Sequence, residues 1–227
     1  MSARPNPIAL SASSLCRPRG RQVLALCAIA ILFTASVSGI CQALSLEEAE
    51  EVYSEAIRSE DGDVVRAAAE TLVEADEGFA APGILWTRIG MLYLKLKDKA
   101  PARMAFEKAV EADTSLVAAH YGLGRGYLEL RDDSKQAARH FLRAIRRDST
   151  YTDAYYGLGQ AFLEMGDKRV LKAASDALRQ DPEYAPAYLL RAQWALKKGR
   201  WDETIASFKS YLELDPDDVA AAFKFAL

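Results

Sequence analysis

The sequence predicts an all-α protein, a right-handed α-solenoid of stacked helix-turn-helix repeats that follows an N-terminal targeting segment. Two observations support this prediction. Residues of the same kind recur about every 34 positions along much of the chain, which is the signature of a repeat architecture. Residues 1–43 contain no acidic side chain and include a charge-free apolar stretch, which is typical of a targeting segment and not of a folded domain.

The N-terminal segment, residues 1–43, is predicted to be a signal peptide or an N-terminal membrane anchor. Its apolar part spans 23–40 and follows arginines at 17, 19 and 21. Small residues after the most apolar part favour cleavage after Ala43 or near Gly39. The alternatives are a short membrane span, a lipoprotein modified at Cys41, and an organellar transit peptide. Because flanking arginines stay in the cytoplasm, we expect an extracytoplasmic protein, in the periplasm or cell envelope, secreted or anchored.

Residues 44–82 are predicted to form a degenerate N-terminal helical repeat. The segments SLEEAEEVYSEAIRSE and DVVRAAAETLVEAD each carry apolar residues at helical spacing, which favours two amphipathic helices. The repeat pattern that is clear after residue 82 is weak in residues 44–82. Terminal units of a repeat array are often atypical, so we interpret this pair as the end of the array.

Two helices are repeated in the central part of the chain. In the first helix, small residues recur at intervals of 34, 35 and 33 residues, at Gly90, Gly124, Gly159 and Ala192. In the second helix, equivalent positions recur at intervals of 35, 33 and 34 residues, at Phe106, Phe141, Ala174 and Phe208. Small residues in a helix indicate a close approach of another helix, since glycine costs about 1 kcal/mol of helix propensity relative to alanine.

These units resemble the tetratricopeptide repeat (TPR) family, whose signature is W-x2-L-G-x2-Y, then A-x3-F, then P. The segment WTRIGMLY, residues 86–93, matches the first part, and Asp-Pro pairs close two of the units at 181–182 and 215–216. The resemblance covers residues 83–218 and implies four repeats, with boundaries at 83–116, 117–151, 152–184 and 185–218. Residues 219–227 are expected to begin a further, truncated helix.

The glycine-rich stretch HYGLGRGYLEL, residues 120–130, invites comparison with phosphate-binding loops. A dinucleotide-binding loop requires a strand before the glycines and a helix after them, and neither the spacing nor the flanking residues fit. The same pattern returns at 155–165 as YYGLGQAFLEM, so the glycines belong to the repeat. For Gly122 and Gly157 the sequence suggests only a close contact with a neighbouring repeat.

Composition and motifs argue against nucleic acid as partner and against catalysis. Without the four arginines of residues 1–43, the chain has 25 basic and 32 acidic residues, a balance of −7, whereas nucleic-acid binding needs a basic face. The three cysteines all precede residue 44, His120 and His140 are predicted to be structural, and the basic segment 139–147 a solvated helix face. No nucleophile or metal-binding motif is present, so we expect no enzyme activity, no cofactor and no metal.

The resemblance implies that the first helices of successive repeats line a concave groove for a peptide or a partner helix. Carried onto this sequence, the partner-binding groove residues are Thr87, Met91, Tyr121, Arg125, Tyr156, Gln160, Leu189 and Gln193. Tyrosine and arginine suit such a surface because they combine contact area with hydrogen bonding. The alternative for Tyr121 and Tyr156 is that they pack between neighbouring repeats.

The predicted function is therefore a non-catalytic protein–protein interaction scaffold, exported or membrane-anchored. Membrane contact would run through the N-terminal segment if that segment is not cleaved. The alternative is the N-terminal repeat portion of a longer envelope protein whose catalytic or effector domain lies elsewhere. The identity of the partner and the oligomeric state are left open by the sequence.

Overall fold

The computed structural model describes residues 44–76, 79–130 and 133–218. Within them the chain forms ten α-helices and no strand: α1 Leu46–Arg58, α2 Gly62–Glu74, α3 Pro82–Lys95, α4 Lys99–Ala112, α5 Val117–Glu129, α6 Ser134–Arg147, α7 Thr152–Glu164, α8 Val170–Gln180, α9 Ala185–Lys197 and α10 Trp201–Leu214. The targeting segment predicted at 1–43 and the helix predicted at 219–227 lie outside the described residues.

The helices pack as a continuous stack of pairs, with α1, α3, α5, α7 and α9 as first helices and the others as second helices. Each helix packs against the next in the chain, and the first helices of neighbouring pairs also contact each other. The all-α helical-repeat solenoid predicted from the sequence is confirmed. Such a stack places equivalent first-helix positions side by side, which creates the surface on which a groove can form.

Local signals explain where several helices begin. Ser45 and Glu48 form a reciprocal capping box at the start of α1, with the Glu48 N–H donating to Ser45 Oγ at 3.2 Å. Asp133 accepts from two backbone N–H groups at the start of α6, which satisfies donors that lack intrahelical partners. Pro82 occupies the first turn of α3, where its missing N–H costs nothing.

The ring of Phe106 occupies the space that two glycines leave open. A Cβ atom placed on Gly90, in the first helix of the same repeat, would lie 2.7 Å from Phe106 Cε1. A Cβ atom on Gly122, in the first helix of the next repeat, would lie 2.2 Å from the same carbon. Phe106 is completely buried. Gly122 thus leaves room for a phenylalanine of the preceding repeat, which packs directly on its backbone.

At the next interface between repeats, a phenylalanine again packs on a glycine. At the interface after that one, the large residue lies on the first helix and the small residue on the second helix. A Cβ atom on Gly157 would lie 2.4 Å from Cε1 of Phe141. In the following unit Ala174 stands where the phenylalanines were, and Leu190 stands where the glycines at 122 and 157 were. Leu190 reaches back to Gly159, where an added Cβ would meet its Cδ2 at 2.1 Å. The first helix of the next repeat therefore supplies the bulk that Ala174 lacks.

Lysine side chains connect the ends of neighbouring first helices. Lys197, at the end of α9, donates to the Leu163 carbonyl at the end of α7 at 2.8 Å, and Lys95, at the end of α3, donates to the Ile57 carbonyl at the end of α1. The last carbonyls of a helix have no intrahelical donors. These contacts satisfy such carbonyls from the adjacent repeat and help to keep the first helices in register.

Candidate functional site

A cavity of about 350 Å³ opens between the first helices α5 and α7 and the start of α9. We call it the central pocket. Its walls combine aromatic, charged and amide side chains with one glycine: Tyr121, Arg125, Leu128, Glu129, Asp153, Tyr156, Gly157, Gln160 and Tyr184. Four of the predicted groove residues, Tyr121, Arg125, Tyr156 and Gln160, are therefore brought together here.

Tyrosine rings form most of the aromatic surface of the central pocket. The Tyr156 and Tyr184 rings meet edge to face with centroids 6.2 Å apart, and Tyr121 meets Tyr151 in the same way at 5.2 Å. All four side chains are partly buried. Burial raises the pKa of Tyr121 and of Tyr156 above the ordinary value. These hydroxyls consequently remain protonated near neutral pH and can donate as well as accept hydrogen bonds.

Polar contacts orient the side chains that surround these rings. Gln160 Nε2 donates to the Tyr156 hydroxyl at 2.9 Å, one helical turn away on α7. Arg125 and Glu129 form an ion pair at 3.1 Å, again one turn apart on α5. The Tyr184 hydroxyl donates to Asp153 Oδ1. The central pocket is thus a largely preorganised site of rings and fixed polar groups.

The other four predicted groove residues lie outside the central pocket. Thr87 is buried and its hydroxyl donates to the Gly83 carbonyl at 2.7 Å, so the hydroxyl is already used within α3. Met91 and Leu189 are partly buried against neighbouring apolar clusters, and Gln193 is partly exposed on α9. A role for these four residues in binding a partner stays a prediction.

Four residues that line the central pocket were not predicted from the sequence as groove residues: Glu129, Asp153, Gly157 and Tyr184. A signal for Tyr184 exists, because Tyr151 and Tyr184 occupy equivalent positions 33 residues apart, just before the first helices α7 and α9. For Asp153 no such periodic signal exists. An acidic residue in the first turn of a helix is explained by the helix dipole alone, and only the packed structure brings it beside Tyr184.

The two histidines form a contact in the third pair of helices, outside the central pocket. His120 Nδ1 lies 3.2 Å from His140 Nδ1, and His120 Nε2 lies 3.1 Å from the Thr114 carbonyl. Burial, followed by the neighbouring His120 and Arg143, lowers the pKa of His140 to about 4. Both rings are therefore neutral near pH 7, with one Nδ1 donating to the other. This arrangement has the geometry of a packed hydrogen-bonded pair.

The described residues show neither a metal-binding cluster nor a membrane-spanning helix. No group of three or more histidine, cysteine, aspartate or glutamate side chains there is placed to hold a metal ion. None of the described helices is both long enough and apolar enough to cross a bilayer. The apolar stretch at 23–40 lies outside these residues.

The chain forms stacked helix pairs with a pocket between their first helices. This architecture is that of the helical-repeat scaffold proteins. Family models described as tetratricopeptide repeat match residues 84–115, and residues 121–168 and 171–219. The chain belongs to the tetratricopeptide repeat family. A comparison with curated protein sequences gives no significant match.

Solved structures with a similar fold include several TPR proteins. MamA is 24% identical, with a TM-score of 0.60 over 70% of this chain and 92% of its own. YrrB, a TPR protein with an unusual peptide-binding site, is 19% identical, with a TM-score of 0.64 over 86% of this chain and 97% of its own. PilW, a type IV pilus biogenesis factor, is 18% identical, with a TM-score of 0.67 over 78% of this chain and 84% of its own.

These comparisons establish the family and the fold. Family membership makes the chain a protein-interaction scaffold, since TPR repeats generally bind protein partners. The family is generally non-catalytic.

Proposed function

We propose that this scaffold is exported and that its central pocket binds a segment of a partner protein. The observation that carries the proposal is the convergence of Tyr121 and Arg125 from one repeat with Tyr156 and Gln160 from the next on one cavity. The fold is similar to that of YrrB, a TPR protein with a peptide-binding site, which supports the proposed use of the groove without identifying its ligand.

The chemistry of the central pocket suits a peptide segment. Its volume of about 350 Å³ is within the range of pockets that hold small ligands or a few side chains. Rigid aromatic side chains provide contact area at a low cost in conformational entropy. Hydroxyl and amide groups at the same place can pair with backbone N–H and C=O groups of an extended segment. Arg125 and Glu129 add fixed charges at one side of the cavity.

Truncating the central tyrosines is expected to weaken binding strongly. Tyr121→Ala or Tyr156→Ala should cost about 2 kcal/mol or more of binding free energy, as is usual for a central aromatic anchor. The binding segment would be selected from a library of displayed peptides on the full chain in mild detergent. Its affinity for each variant would then be measured by fluorescence anisotropy, with thermal stability measured in parallel.

The matched control is Glu107→Ala on the second helix α4, away from the central pocket, and it should leave affinity unchanged. Tyr156→Phe, which removes only the hydroxyl, should fall between the wild type and Tyr156→Ala. If affinity falls only in step with thermal stability, the tyrosines serve packing between repeats. If folded variants bind as tightly as the wild type, the proposed site is wrong.

The export part of the proposal rests on residues 1–43 of the sequence. An apolar, uncharged stretch preceded by arginines predicts that the repeats reach the far side of a membrane. A C-terminal fusion to a reporter that is active only outside the cytoplasm should be active in cells. Removing residues 2–43 should abolish that activity. An inactive reporter on the intact chain, with the fusion present in the cytoplasmic fraction, would contradict export.

A further inference from the structure

Asp153 is a carboxylate in the central pocket without a cationic partner among the described residues. Its Oδ1 accepts a hydrogen bond from the Tyr184 hydroxyl, and no lysine or arginine in the described part of the chain forms an ion pair with it. The side chain is partly buried, in the first turn of α7. A partly buried carboxylate that is hydrogen-bonded but not charge-paired can still gain from a cation that reaches it.

The positive charge in the same pocket is already neutralised. Arg125, which lies 3.1 Å from Glu129 Oε1, is the cation among the described residues that line the pocket, and with Glu129 and Asp153 these lining residues carry a net charge of −1. A negatively charged partner group would have to compete with Glu129 for the guanidinium, and it would also be repelled by Asp153. A positively charged group would meet Asp153, the carboxylate that lacks a counterion among the described residues of the pocket. The charge distribution therefore favours a cation.

Three tyrosine rings share the central pocket with this carboxylate. Tyr121, Tyr156 and Tyr184 all line the central pocket together with Asp153. The face of a tyrosine ring attracts ammonium and guanidinium groups, and the attraction grows when the cation is desolvated. The methylene groups of a lysine or arginine side chain can also pack on the rings while the charged end reaches a carboxylate.

We propose that the central pocket takes a lysine or arginine side chain of the partner segment, with its charged end on Asp153 and its methylene groups against the tyrosines. This inference rests on the proposed function, since it names the residue type that the groove recognises. It assigns Asp153 as the residue that determines specificity and the tyrosine rings as the walls that hold the aliphatic stem.

The test begins with random dodecapeptides displayed on phage and selected on the full chain in mild detergent. The expected result is a lysine or arginine at one position of the enriched peptides. The best sequence is then synthesised with an acetylated N-terminus and a dye, and its affinity is measured by fluorescence anisotropy. Replacing that basic residue by norleucine, or Asp153 by asparagine, should each weaken binding about tenfold, as loss of a charged hydrogen-bonded contact does. The two changes together should cost little more than either one.

A charge exchange makes the test sharper. Selection on Asp153→Lys should replace the basic residue of the enriched peptides by aspartate or glutamate. The matched control is Asp176→Asn, which removes a carboxylate on α8 that pairs with Lys172 and Arg179, and it should leave both the selection and the affinity unchanged. Thermal unfolding of each variant verifies that it is folded.

The outcomes separate this inference from the proposed function. Enriched peptides that require Tyr121 or Tyr156 but carry no basic residue, or that bind Asp153→Asn as tightly as the wild type, would overturn the cation site and leave the groove as the binding surface. If no enriched peptide depends on Tyr121 or Tyr156, both the groove and its cation site are wrong.

Discussion

Replacing Phe106 by alanine is expected to destabilise the repeat array by about 3–5 kcal/mol, the usual cost of truncating a fully buried phenylalanine. Phe106 has no exposed surface, and its ring fills the space above Gly90 and Gly122 in two adjacent repeats. One substitution therefore removes packing within a repeat and between repeats. Urea unfolding of the full chain in mild detergent, followed by circular dichroism, would measure the loss.

A double-mutant cycle with Gly122 tests the reason for that loss. Alone, Gly122→Ala should destabilise by about 1–2 kcal/mol, because overpacking outweighs the helix propensity that alanine adds. In the Phe106→Ala background the same methyl group enters an empty space and should be neutral or stabilising. The control is Met104→Ala, at a residue that is 59% exposed on α4, the helix that carries Phe106. It should change stability by less than about 0.5 kcal/mol. Additive effects of Phe106→Ala and Gly122→Ala would contradict direct contact.

Leu190→Gly is expected to destabilise by about 3 kcal/mol or more, since it opens a cavity and adds a glycine to the middle of a helix. Ala174→Phe alone should also destabilise, by about 1–3 kcal/mol, because Leu190 already fills the available space. Combined, the two changes recreate the phenylalanine–glycine arrangement seen at Phe106 and Phe141. We expect the double variant to be more stable than Leu190→Gly alone, by about 1 kcal/mol or more.

The control for the second cycle is Leu196→Ala, at a residue that is 44% exposed on the same helix as Leu190. It should have a small effect on unfolding, within about 0.5 kcal/mol. A double variant that is no more stable than Leu190→Gly alone would show that the backbones of α7 and α9 cannot adopt the spacing of the other interfaces. In that case, the Ala174–Leu190 pair could not be replaced by a phenylalanine–glycine pair through side-chain volume alone.

The sequence allowed the family and the helical solenoid to be predicted because both depend on periodicity. A recurring small residue in the first helix and a recurring aromatic residue in the second define the unit, and stacked units need only contact their neighbours. The central part of the candidate site followed for the same reason. Tyr121 and Tyr156 occupy equivalent positions, so stacking places them side by side in the central pocket.

The remaining features depend on contacts between different repeat positions, which periodicity does not encode. Asp153 and Tyr184 meet because the start of α9 packs beside the start of α7, and neither residue matches the other in repeat register. Likewise, Leu190 packs on Gly159 in place of a phenylalanine on a glycine. Repetition in a sequence reports which residues share an environment. Side-chain volume and charge are balanced across an interface, between residues that need not correspond, and only the packed helices reveal those pairs.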